Sequence, residues 1–489
     1  MPIPSKRPAA RRRVASAPSV LVTLDPSAAA PLYQQVYEQV RHGALTGRLG
    51  AGSQIPSSRL LAAELGLSRT TVAVAYDQLR AEGYLEMRPR GGTFVARVLP
   101  DSALAARPAP RRPAGRLTQG HRAPAAPVPS RRGARLVALT AASRDGWTRP
   151  VHPFRHGVPA LDAFPHALWG TLTARVWRAA PRALLSYASP TGLPQLRHAI
   201  AAYVTASRGA RCDAGQIIII GGAQQGLDLA TRVLLDPPDQ AWVDDPGYPG
   251  ARHALTAAGA AVVPVPVDDE GLSVAAGTRA APRARLAYIT PSHQYPLGVT
   301  MSIGRRLALL GWAHRAGAWI LEDDYDSEFR YTSRPLPCLQ GLDADTATAH
   351  ASRVIYIGSF SKTLFPALRL GFLIVPPALV DAFAAARATV DRQPPSVAEA
   401  VLAEFIAEGH YVRHLRRMRA LYAERQHALL ARAANGPLAE YLELTVHDAG
   451  MQLLGWLRRG RDDVAASERA RRAGIEAPPL SSFAIRAPR

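Results

Sequence analysis

The sequence predicts two domains of different fold class, a small N-terminal α+β domain and a large C-terminal α/β domain. The first 97 residues contain three short helical patterns and then two short strand patterns, whereas strand-like apolar runs alternate with helical segments after residue 150. A chain of 489 residues with 47% apolar content is also too long for one ordinary core. We predict a disordered basic tail, the α+β domain, a linker and the α/β domain, at residues 1–28, 29–97, 98–150 and 151–489.

Three helical segments open the small domain. The first has an apolar face formed by Leu32, Val36, Val40 and Leu45. The second follows an N-cap in Ile55-Pro56-Ser57-Ser58-Arg59 and ends at Gly66. The third is capped by Ser68 and extends from Arg69 to Glu82, with inward-facing Val72, Tyr76 and Leu79. Two short strands joined through Arg88-Pro89-Arg90-Gly91-Gly92 then form a hairpin wing.

This order of elements is typical of a helix-turn-helix with a wing. A three-helix protein-binding module has similar periodicity, but the order of caps, glycines and wing favours the DNA-binding alternative. The start of the third helix presents Arg69, Thr70 and Thr71, where side chains that enter a major groove reach base edges and phosphates. Arg59 would lie on the flanking phosphate backbone, and a helix N-terminus itself favours phosphate.

The net charge of +21 is concentrated in the tail and the linker. Residues 1–24 hold five basic and no acidic groups, and residues 98–150 hold ten arginines against Asp101 and Asp145. Both segments are rich in Pro, Ala and Arg and lack apolar periodicity, so we expect disorder. Two alternatives stay open: a salt-sensitive attraction to phosphate, and a solvated linker without a ligand.

The sequence indicates a soluble, cytoplasmic protein without a disulfide or a metal site. Its longest apolar runs are far shorter than the roughly 20 residues that a membrane span needs. No apolar segment of a secretory signal follows the basic N-terminal residues. Cys212 and Cys338 have no metal-ligand spacing and fit a reducing compartment.

Seven strand-like runs predict a mostly parallel sheet with crossover helices in the large domain. They are Gln216–Ile220, Ala241–Asp244, Ala261–Val265, Ala284–Thr290, Trp319–Glu322, Val354–Ile357 and Phe372–Val375. An open α/β sheet binds its ligand at the carboxyl ends of its strands, and several polar clusters follow these runs.

Lys362 is one of only two lysines among 59 basic residues, the other being Lys6 in the tail. Arginine does not form an imine, so Lys362 is the only candidate in the large domain for Schiff-base chemistry. The alternative explanation is that this one lysine is present by chance. It ends the segment Gly358-Ser359-Phe360-Ser361-Lys362 and is followed by Arg369. Hydroxyls and a guanidinium in this arrangement suit a phosphate ester.

Two further clusters lie at strand ends. Gly221-Gly222-Ala223-Gln224-Gln225-Gly226 starts a helix whose backbone N–H groups could hold a phosphate, although a glycine turn alone is weak evidence. Asp323, Asp324, Tyr325 and Asp326 form an acidic patch. A helix cap or a metal site, for example for magnesium, is the alternative explanation of the patch, but no phosphate-binding P-loop accompanies it.

Together these groups match the requirements of pyridoxal phosphate, namely a lysine, a carboxylate, a phenol, a phosphate cup and an aromatic platform. Lys362 would hold the aldehyde, and Asp323 would keep the pyridine nitrogen protonated. Tyr325 would hydrogen-bond the 3′-oxygen, and Tyr248 would stack on the ring face.

Residues 29–97 closely resemble the GntR-type winged helix. The match rests on Ile55-Pro56-Ser57-Ser58-Arg59, Leu65-Gly66-Leu67-Ser68-Arg69-Thr70-Thr71-Val72, Tyr76, Leu79, Glu82-Gly83-Tyr84 and Gly92-Thr93-Phe94-Val95. The resemblance implies binding to double-stranded operator DNA. The implied contacts are Arg59, Ser68, Arg69, Thr70 and Thr71, with Arg90, Gly91 and Gly92 of the wing.

Residues 150–489 resemble a fold-type I aminotransferase domain, and the whole chain resembles the bacterial MocR/GabR subfamily of GntR regulators. The match rests on Thr290-Pro291-Ser292-His293-Gln294-Tyr295-Pro296-Leu297-Gly298, on residues 322–331 and on residues 358–371. It implies pyridoxal 5′-phosphate as cofactor, with an internal aldimine at Lys362 and the roles just given for Asp323, Tyr325 and Tyr248. It also implies a head-to-tail homodimer and phosphate contacts from Ala223, Gln224, Ser359, Ser361 and Arg369.

The sequence departs from the aminotransferase pattern at two places. Tyr295 precedes Pro296-Leu297-Gly298 where free aminotransferases usually have asparagine, which favours a sensor over an enzyme. Near the C-terminus, Ser482 occupies the region where the arginine that binds the substrate carboxylate is expected. Either Arg486 serves instead, or the effector lacks a carboxylate, or the chain is shortened and binds weakly.

We therefore expect a transcription regulator in which a small amine or amino acid forms an external aldimine in place of Lys362 and changes the affinity for DNA. At most residual transaminase activity is expected. Two alternatives are a transaminase with a DNA-binding appendage and a regulator that senses the cofactor itself.

Overall fold

The computed structural model describes residues 22–25, 27–88, 92–101, 128–140, 152–331, 336–346, 351–458 and 460–486. The chain divides into two compact units, Met1–Ala125 and Ala126–Arg489. Most of the predicted tail and linker lies outside the described residues, and so do Arg90 and Gly91 of the predicted wing.

The first unit is a winged helix-turn-helix, as predicted. Its helices are α1 (Leu32–Leu45), α2 (Ser58–Leu65) and α3 (Arg69–Ala81). Its three short strands are β1 (Gln54–Ile55), β2 (Leu85–Arg88) and β3 (Gly92–Val95), and they form an antiparallel sheet in the order β1-β3-β2. The sequence did not predict β1, which is only two residues long.

Local hydrogen bonds set the ends of these helices. The Ser57 hydroxyl accepts the N–H of Leu60 at the start of α2, and the Ser68 hydroxyl accepts the N–H of Thr71 at the start of α3. Gly66 ends α2 in the left-handed conformation at φ 66°. These caps confirm the predicted starts of both helices and the predicted end of α2, whereas α3 ends at Ala81, one residue before the predicted Glu82.

The predicted apolar face of α1 is only half correct. Val36 and Val40 are buried in the core, but Leu32 and Leu45 are 39% and 38% exposed. Leu45 lies five residues after Val40, which rotates it about 140° away from the buried face. Ala44, four residues after Val40, continues the buried face instead.

The second unit is built on an eight-stranded mixed sheet. The strands are β4 (Ile217–Ile220), β5 (Gln240–Asp245), β6 (Ala261–Asp268), β7 (Gly271–Leu272), β8 (Leu286–Ile289), β9 (Trp319–Asp324), β10 (Val354–Ser359) and β11 (Gly371–Ile374). Their order is β4-β11-β10-β9-β8-β5-β6-β7. The neighbouring pairs β10–β9, β9–β8, β8–β5 and β5–β6 are parallel. Strand β11 pairs antiparallel with β4 and β10, and β7 pairs antiparallel with β6. All seven predicted strands are confirmed.

Helices flank this sheet, and a small hairpin, β12 (Leu442–Leu444) with β13 (Gly455–Leu457), lies outside it. The helices are α4 (Arg131–Thr140), α5 (His166–Ala179), α6 (Pro194–Arg208), α7 (Ala223–Leu234), α8 (Pro249–Ala258), α9 (Val274–Ala280), α10 (Ile303–Ala316), α11 (Leu339–Thr346), α12 (Val380–Asp391), α13 (Ser396–Ala407), α14 (His410–Asn435) and α15 (Asp463–Arg472). No helix among the described residues has the length and apolar character of a membrane span.

Helix α4 contradicts the prediction that residues 98–150 lack regular structure. The Ser130 hydroxyl accepts the N–H of Gly133 at 3.1 Å, which caps the helix start. The helix begins after Pro129 and contains mainly Arg, Ala and Leu, which are strong helix formers. The overall composition of the linker concealed this short favourable stretch.

The parallel register brings polar strand ends together at one edge of the sheet. β9 and β10 pair so that Asp323 lies opposite Ile357 and Asp324 lies opposite Gly358. β10 ends at Ser359, three residues before Lys362. β9 and β10 are buried along almost their whole length, so these polar residues lie at the end of an apolar part of the sheet.

Candidate functional site

The start of α3 in the first unit carries the residues predicted to contact DNA. Arg69 and Thr70 are exposed, Thr71 is half-buried, and Arg59 is exposed on α2. The Ser68 hydroxyl also lies 2.8 Å from the Thr71 hydroxyl, so its hydrogen bonds stabilise the helix start. Gly92 is exposed at φ 96°, and a Cβ there would approach the Gln54 amide nitrogen to 2.8 Å.

Lys362 is the centre of the second candidate site. Its Nζ donates a hydrogen bond to the carbonyl oxygen of Gly157 at 2.6 Å. Burial lowers the pKa of the Lys362 ammonium, while nearby Asp326 and Asp323 partly oppose this effect. A larger neutral fraction makes the amine a better nucleophile.

Asp323 combines one satisfied and one unsatisfied carboxylate oxygen. Its Oδ2 accepts the hydroxyl of Tyr288 at 2.7 Å. Its Oδ1 is buried and has no hydrogen-bond partner among the described residues. Burial raises the pKa of Asp323 to about 7. An unsatisfied buried oxygen of this kind is costly, and an N–H donor or a cation placed beside it would remove the cost.

Tyr325 lies in a buried polar cluster. Its hydroxyl is 3.0 Å from Nδ1 of His293 and accepts the side-chain amide of Gln452 at 3.3 Å. The same His293 nitrogen lies 3.1 Å from Oδ2 of Asp326. Burial raises the pKa of the Tyr325 phenol well above its usual range, so the phenol keeps its proton.

The residues predicted to hold a phosphate approach one another around the start of α7. This helix begins after Gly222, at φ 109°, without a side-chain cap. A Cβ on Gly222 would lie 3.3 Å from a guanidinium nitrogen of Arg369. Ser359 pairs with Gly371 across the sheet, and its Oγ accepts the N–H of Ser361 at 3.2 Å. Helix N–H groups, two hydroxyls and a guanidinium suit an anion.

Tyr248 provides an aromatic ring beside these groups. It lies 6.4 Å from the ring of Tyr288, which binds Asp323, and packs edge-on against Tyr295 at 5.7 Å. Burial raises the pKa of Tyr248 to about 12. The phenol is therefore neutral at physiological pH.

Tyr295 is surrounded by aromatic rings. Phe483 and Tyr325 pack edge-on against it at 5.4 and 6.1 Å, and His156 lies 6.1 Å away. The Ser482 hydroxyl instead donates to the carbonyl oxygen of Pro479 at 2.7 Å. Phe483, the residue after Ser482, is thus the one whose ring packs against Tyr295. The backbone N–H of Arg486 binds Asp245 at 3.1 Å.

The other two members of the predicted acidic patch are held by protein groups. Asp324 accepts from the guanidinium of Arg208 and from the hydroxyl of Tyr356, both at 2.7 Å. Asp326 accepts the N–H of Met451 and contacts His293. These contacts give both aspartates a structural role in this edge of the sheet.

Several residues of this site were not assigned a role from the sequence, namely Gly157, Tyr288, His293 and Gln452. Gly157 is 205 residues from Lys362, and Gln452 is 127 residues from Tyr325. Only the folded topology brings such pairs together. His293 lies within the aminotransferase-like motif that starts at Thr290, and Tyr288 lies within a predicted strand, but neither pattern indicates a hydrogen-bond partner.

Comparisons with known proteins agree with this division of the chain. Residues 32–95 match the family model for bacterial regulatory proteins of the gntR family, and residues 161–487 match that for aminotransferase class I and II. The probable rhizopine catabolism regulatory protein MocR of Rhizobium meliloti is 42% identical over 461 residues, covering 94% of this chain and 89% of that protein.

A second relative and a solved structure extend the comparison. The HTH-type transcriptional regulator TauR of Rhodobacter capsulatus is 37% identical over 433 residues, covering 88% of this chain and 83% of that protein. The crystal structure of LysN, an α-aminoadipate aminotransferase from Thermus thermophilus complexed with N-(5′-phosphopyridoxyl)-L-leucine, superimposes with a TM-score of 0.65. It is 27% identical and covers 72% of this chain and 88% of that chain. The chain thus belongs to the MocR/GabR subfamily of GntR-type transcription regulators.

Proposed function

We propose that this regulator binds pyridoxal 5′-phosphate at Lys362 and senses a small amine or amino acid there. The observation that carries the proposal is the unsatisfied, buried Oδ1 of Asp323, a side chain close enough to the Lys362 amine for each charge to shift the pKa of the other. A buried carboxylate oxygen without a donor, next to a desolvated lysine, fits a ligand that brings both a ring N–H and an aldehyde.

The remaining residues also fit this cofactor. Tyr248 would stack on its ring, and the Tyr325 phenol, held by His293, would donate to the 3′-oxygen. Oδ1 of Asp323 would accept the proton on the pyridine nitrogen. The phosphate would lie against the start of α7 and the groups described there, namely Ala223, Gln224, Ser359, Ser361 and Arg369.

The bound cofactor would supply an aldehyde that condenses with primary amines. Lys362 would hold the resting cofactor and would be released when an effector amine takes its place. Its lowered pKa favours the neutral amine that this exchange requires. Tyr295 and Phe483 would close the pocket with apolar surface and exclude water from it.

The output would be a change in the affinity for operator DNA, through the exposed Arg59, Arg69 and Thr70, with Ser68, Thr71 and the wing residues Arg90, Gly91 and Gly92. We further propose a homodimer, with the head-to-tail arrangement that the family implies. Trp177, Leu185 and Tyr187 are 54%, 61% and 78% exposed in the single chain, as expected for a surface that a second copy covers. An effector that binds one dimer conformation more tightly would shift the equilibrium between conformations.

The test is the absorption spectrum of the purified chain incubated with pyridoxal phosphate, followed by borohydride reduction and peptide mapping. We expect a band near the visible edge and a reduced cofactor attached to residue 362. Lys362→Ala should lose both signals, whereas Lys6→Arg, which changes the only other lysine, should keep them. A colourless wild-type protein, or labelling at Lys6 alone, would refute the proposal.

A transaminase is the second candidate function, because the large unit superimposes on an aminotransferase. Steady turnover of an amino donor with a keto acid, lost in Lys362→Ala, would support it. The replacement of the usual asparagine by Tyr295 argues for slow turnover or none.

A further inference from the structure

A second polar cavity lies apart from the phosphate-binding residues. It has a volume of about 120 Å³ and is open to solvent on one side. Its walls come from three elements, the C-terminal end of α6 with Tyr203 and Arg208, the segment after β9 with Ser327, Glu328 and Arg330, and Arg419 of α14. Neither the proposed DNA contacts nor the proposed cofactor contacts involve a residue that lines this cavity.

The floor of the cavity contains buried polar groups. Arg208 is only 4% exposed, and its Nε and one terminal nitrogen are held by Asp324 at 2.7 Å and by Ser292 at 2.8 Å. Ser327 is 5% exposed, and its hydroxyl has no hydrogen-bond partner among the described residues. The hydroxyl oxygen itself is buried beside the cavity that Ser327 lines, so this side chain has a proton to donate to a ligand that it can reach by rotation.

Arginines outnumber carboxyl groups on the cavity wall. Arg208, Arg330 and Arg419 line it with one carboxyl group, Glu328, which accepts a hydrogen bond from the Tyr203 hydroxyl at 3.3 Å. Arg208 is also ion-paired with Asp324, so Arg330 and Arg419 contribute most of the positive charge. Burial raises the pKa of Glu328, which reduces the negative charge at this wall. The Arg419 guanidinium donates twice to the Glu328 carbonyl oxygen, at 2.8 and 3.1 Å, and is thereby fixed at the mouth.

We propose that this cavity binds a small oxyanion, a carboxylate or a phosphate of a few heavy atoms. The cavity volume is large enough for an anion of this size. Guanidinium groups and a hydroxyl are the donors that such anions bind most strongly. Rotation of the Ser327 side chain would let its hydroxyl donate its free proton to the anion.

The bound anion would also influence the lysine pocket. Arg208 connects the cavity floor to Asp324, the neighbour of Asp323, and to Ser292, the neighbour of His293. His293 in turn contacts the Tyr325 hydroxyl. An anion that repositions Arg208 would therefore act on Asp323 through Asp324, and on Tyr325 through Ser292 and His293.

Isothermal titration calorimetry of the full chain in chloride buffer tests this proposal, with inorganic phosphate and sodium acetate as separate probes. We expect saturable binding of at least one anion, weakened about tenfold or more by Ser327→Ala and by Arg419→Met. Arg432→Met, on the exposed surface of the same helix, should leave the affinity unchanged.

Arg369→Met separates this cavity from the phosphate-binding residues near α7. If Arg369→Met abolishes binding while Arg419→Met and Ser327→Ala do not, the anion occupies the other site and the proposal is wrong. The absence of saturable binding for both anions also overturns it. Binding of phosphate alone or of acetate alone supports the proposal and identifies which oxyanion the cavity accepts.

Discussion

At the residue scale, the buried and unpartnered Oδ1 of Asp323 can accept an N–H donor or bind a cation, but its burial destabilises the folded chain when the carboxyl group ionises. Its pKa is about 7 in the folded chain against an ordinary value of 3.8, and burial is the main cause. Buried Asp244 and Glu322 also have pKa values raised to about 7. Between pH 4 and pH 7 these groups hold protons in the folded state and lose them in the unfolded state, so stability falls as pH rises.

Asp323→Asn should remove one of these contributions, because the amide does not ionise. We expect the variant without cofactor to gain stability relative to wild type as pH rises from 5 to 7, by about 2 kcal/mol, because each pH unit between the two pKa values contributes at most about 1.36 kcal/mol. The measurement is the midpoint of chemical unfolding as a function of pH. The exposed control Asp228→Asn should show no such pH-dependent gain, and an equal gain in both variants contradicts the assignment.

Arg69 is the residue on which the proposed DNA contact depends most. Arg69→Ala should weaken binding to a fragment of the promoter next to its own gene about tenfold or more, since a lost guanidinium contact to base or phosphate costs about 1–3 kcal/mol. Fluorescence anisotropy measures this. Arg80→Ala removes an exposed arginine from the other end of α3 and should have a much smaller effect. An equal loss of DNA affinity in the two variants would indicate that only the total positive charge matters, and would contradict a specific contact from Arg69.

At the same scale, the sequence predicts which residues belong to the candidate site but not which residues form hydrogen bonds with them. Lys362, Asp323 and Tyr325 were predicted because a lone lysine and a carboxylate-phenol pair follow buried strands. Three hydrogen bonds depend on contacts between distant segments. Tyr288 donates to Asp323, Gln452 donates to Tyr325, and the Gly157 carbonyl oxygen accepts from Lys362. Local pattern carries no information on these contacts.

At the scale of elements, the buried strands were the most predictable part of the molecule. Strands buried on both faces are continuous apolar runs, such as the four isoleucines of β4, and all seven predicted runs are strands. The unpredicted β1, β7, β12 and β13 are two or three residues long, too short for a periodic pattern. The prediction that Leu45 belongs to the buried face of α1 was wrong for another reason, because its position does not fit the helical spacing of that face.

The loop between β12 and β13 depends on a glycine for its contact with the lysine pocket. Gly450 has φ 88°, its N–H donates to the Phe329 carbonyl oxygen, and a Cβ there would lie 1.9 Å from Cε1 of His293. We expect Gly450→Ala to destabilise the chain by about 3 kcal/mol through overpacking and backbone strain. Chemical unfolding measures this change.

Gly460 supplies a matched control for this prediction. It also has positive φ, at 59°, but a Cβ there would meet no atom of the described chain within 4 Å. Gly460→Ala should therefore cost only the backbone term, about 1 kcal/mol. Similar costs for the two substitutions would show that the contact with His293 does not constrain the loop.

At the scale of the whole molecule, the chain combines two cores of different origin, a GntR-type reader and an aminotransferase-like unit. The proposed function requires that a chemical event at Lys362 alters DNA binding by residues of the other core. A coupling free energy between such sites is typically about 1–3 kcal/mol, which changes affinity about 5- to 150-fold.

The most direct test is the dissociation constant for the promoter fragment in saturating pyridoxal phosphate, measured with and without each member of a panel of primary amines and amino acids. We predict that at least one compound changes the constant about fivefold or more in the wild-type chain and has no effect in Lys362→Ala. The same change in Lys362→Ala would contradict the account. So would a response to the cofactor alone that no amine alters.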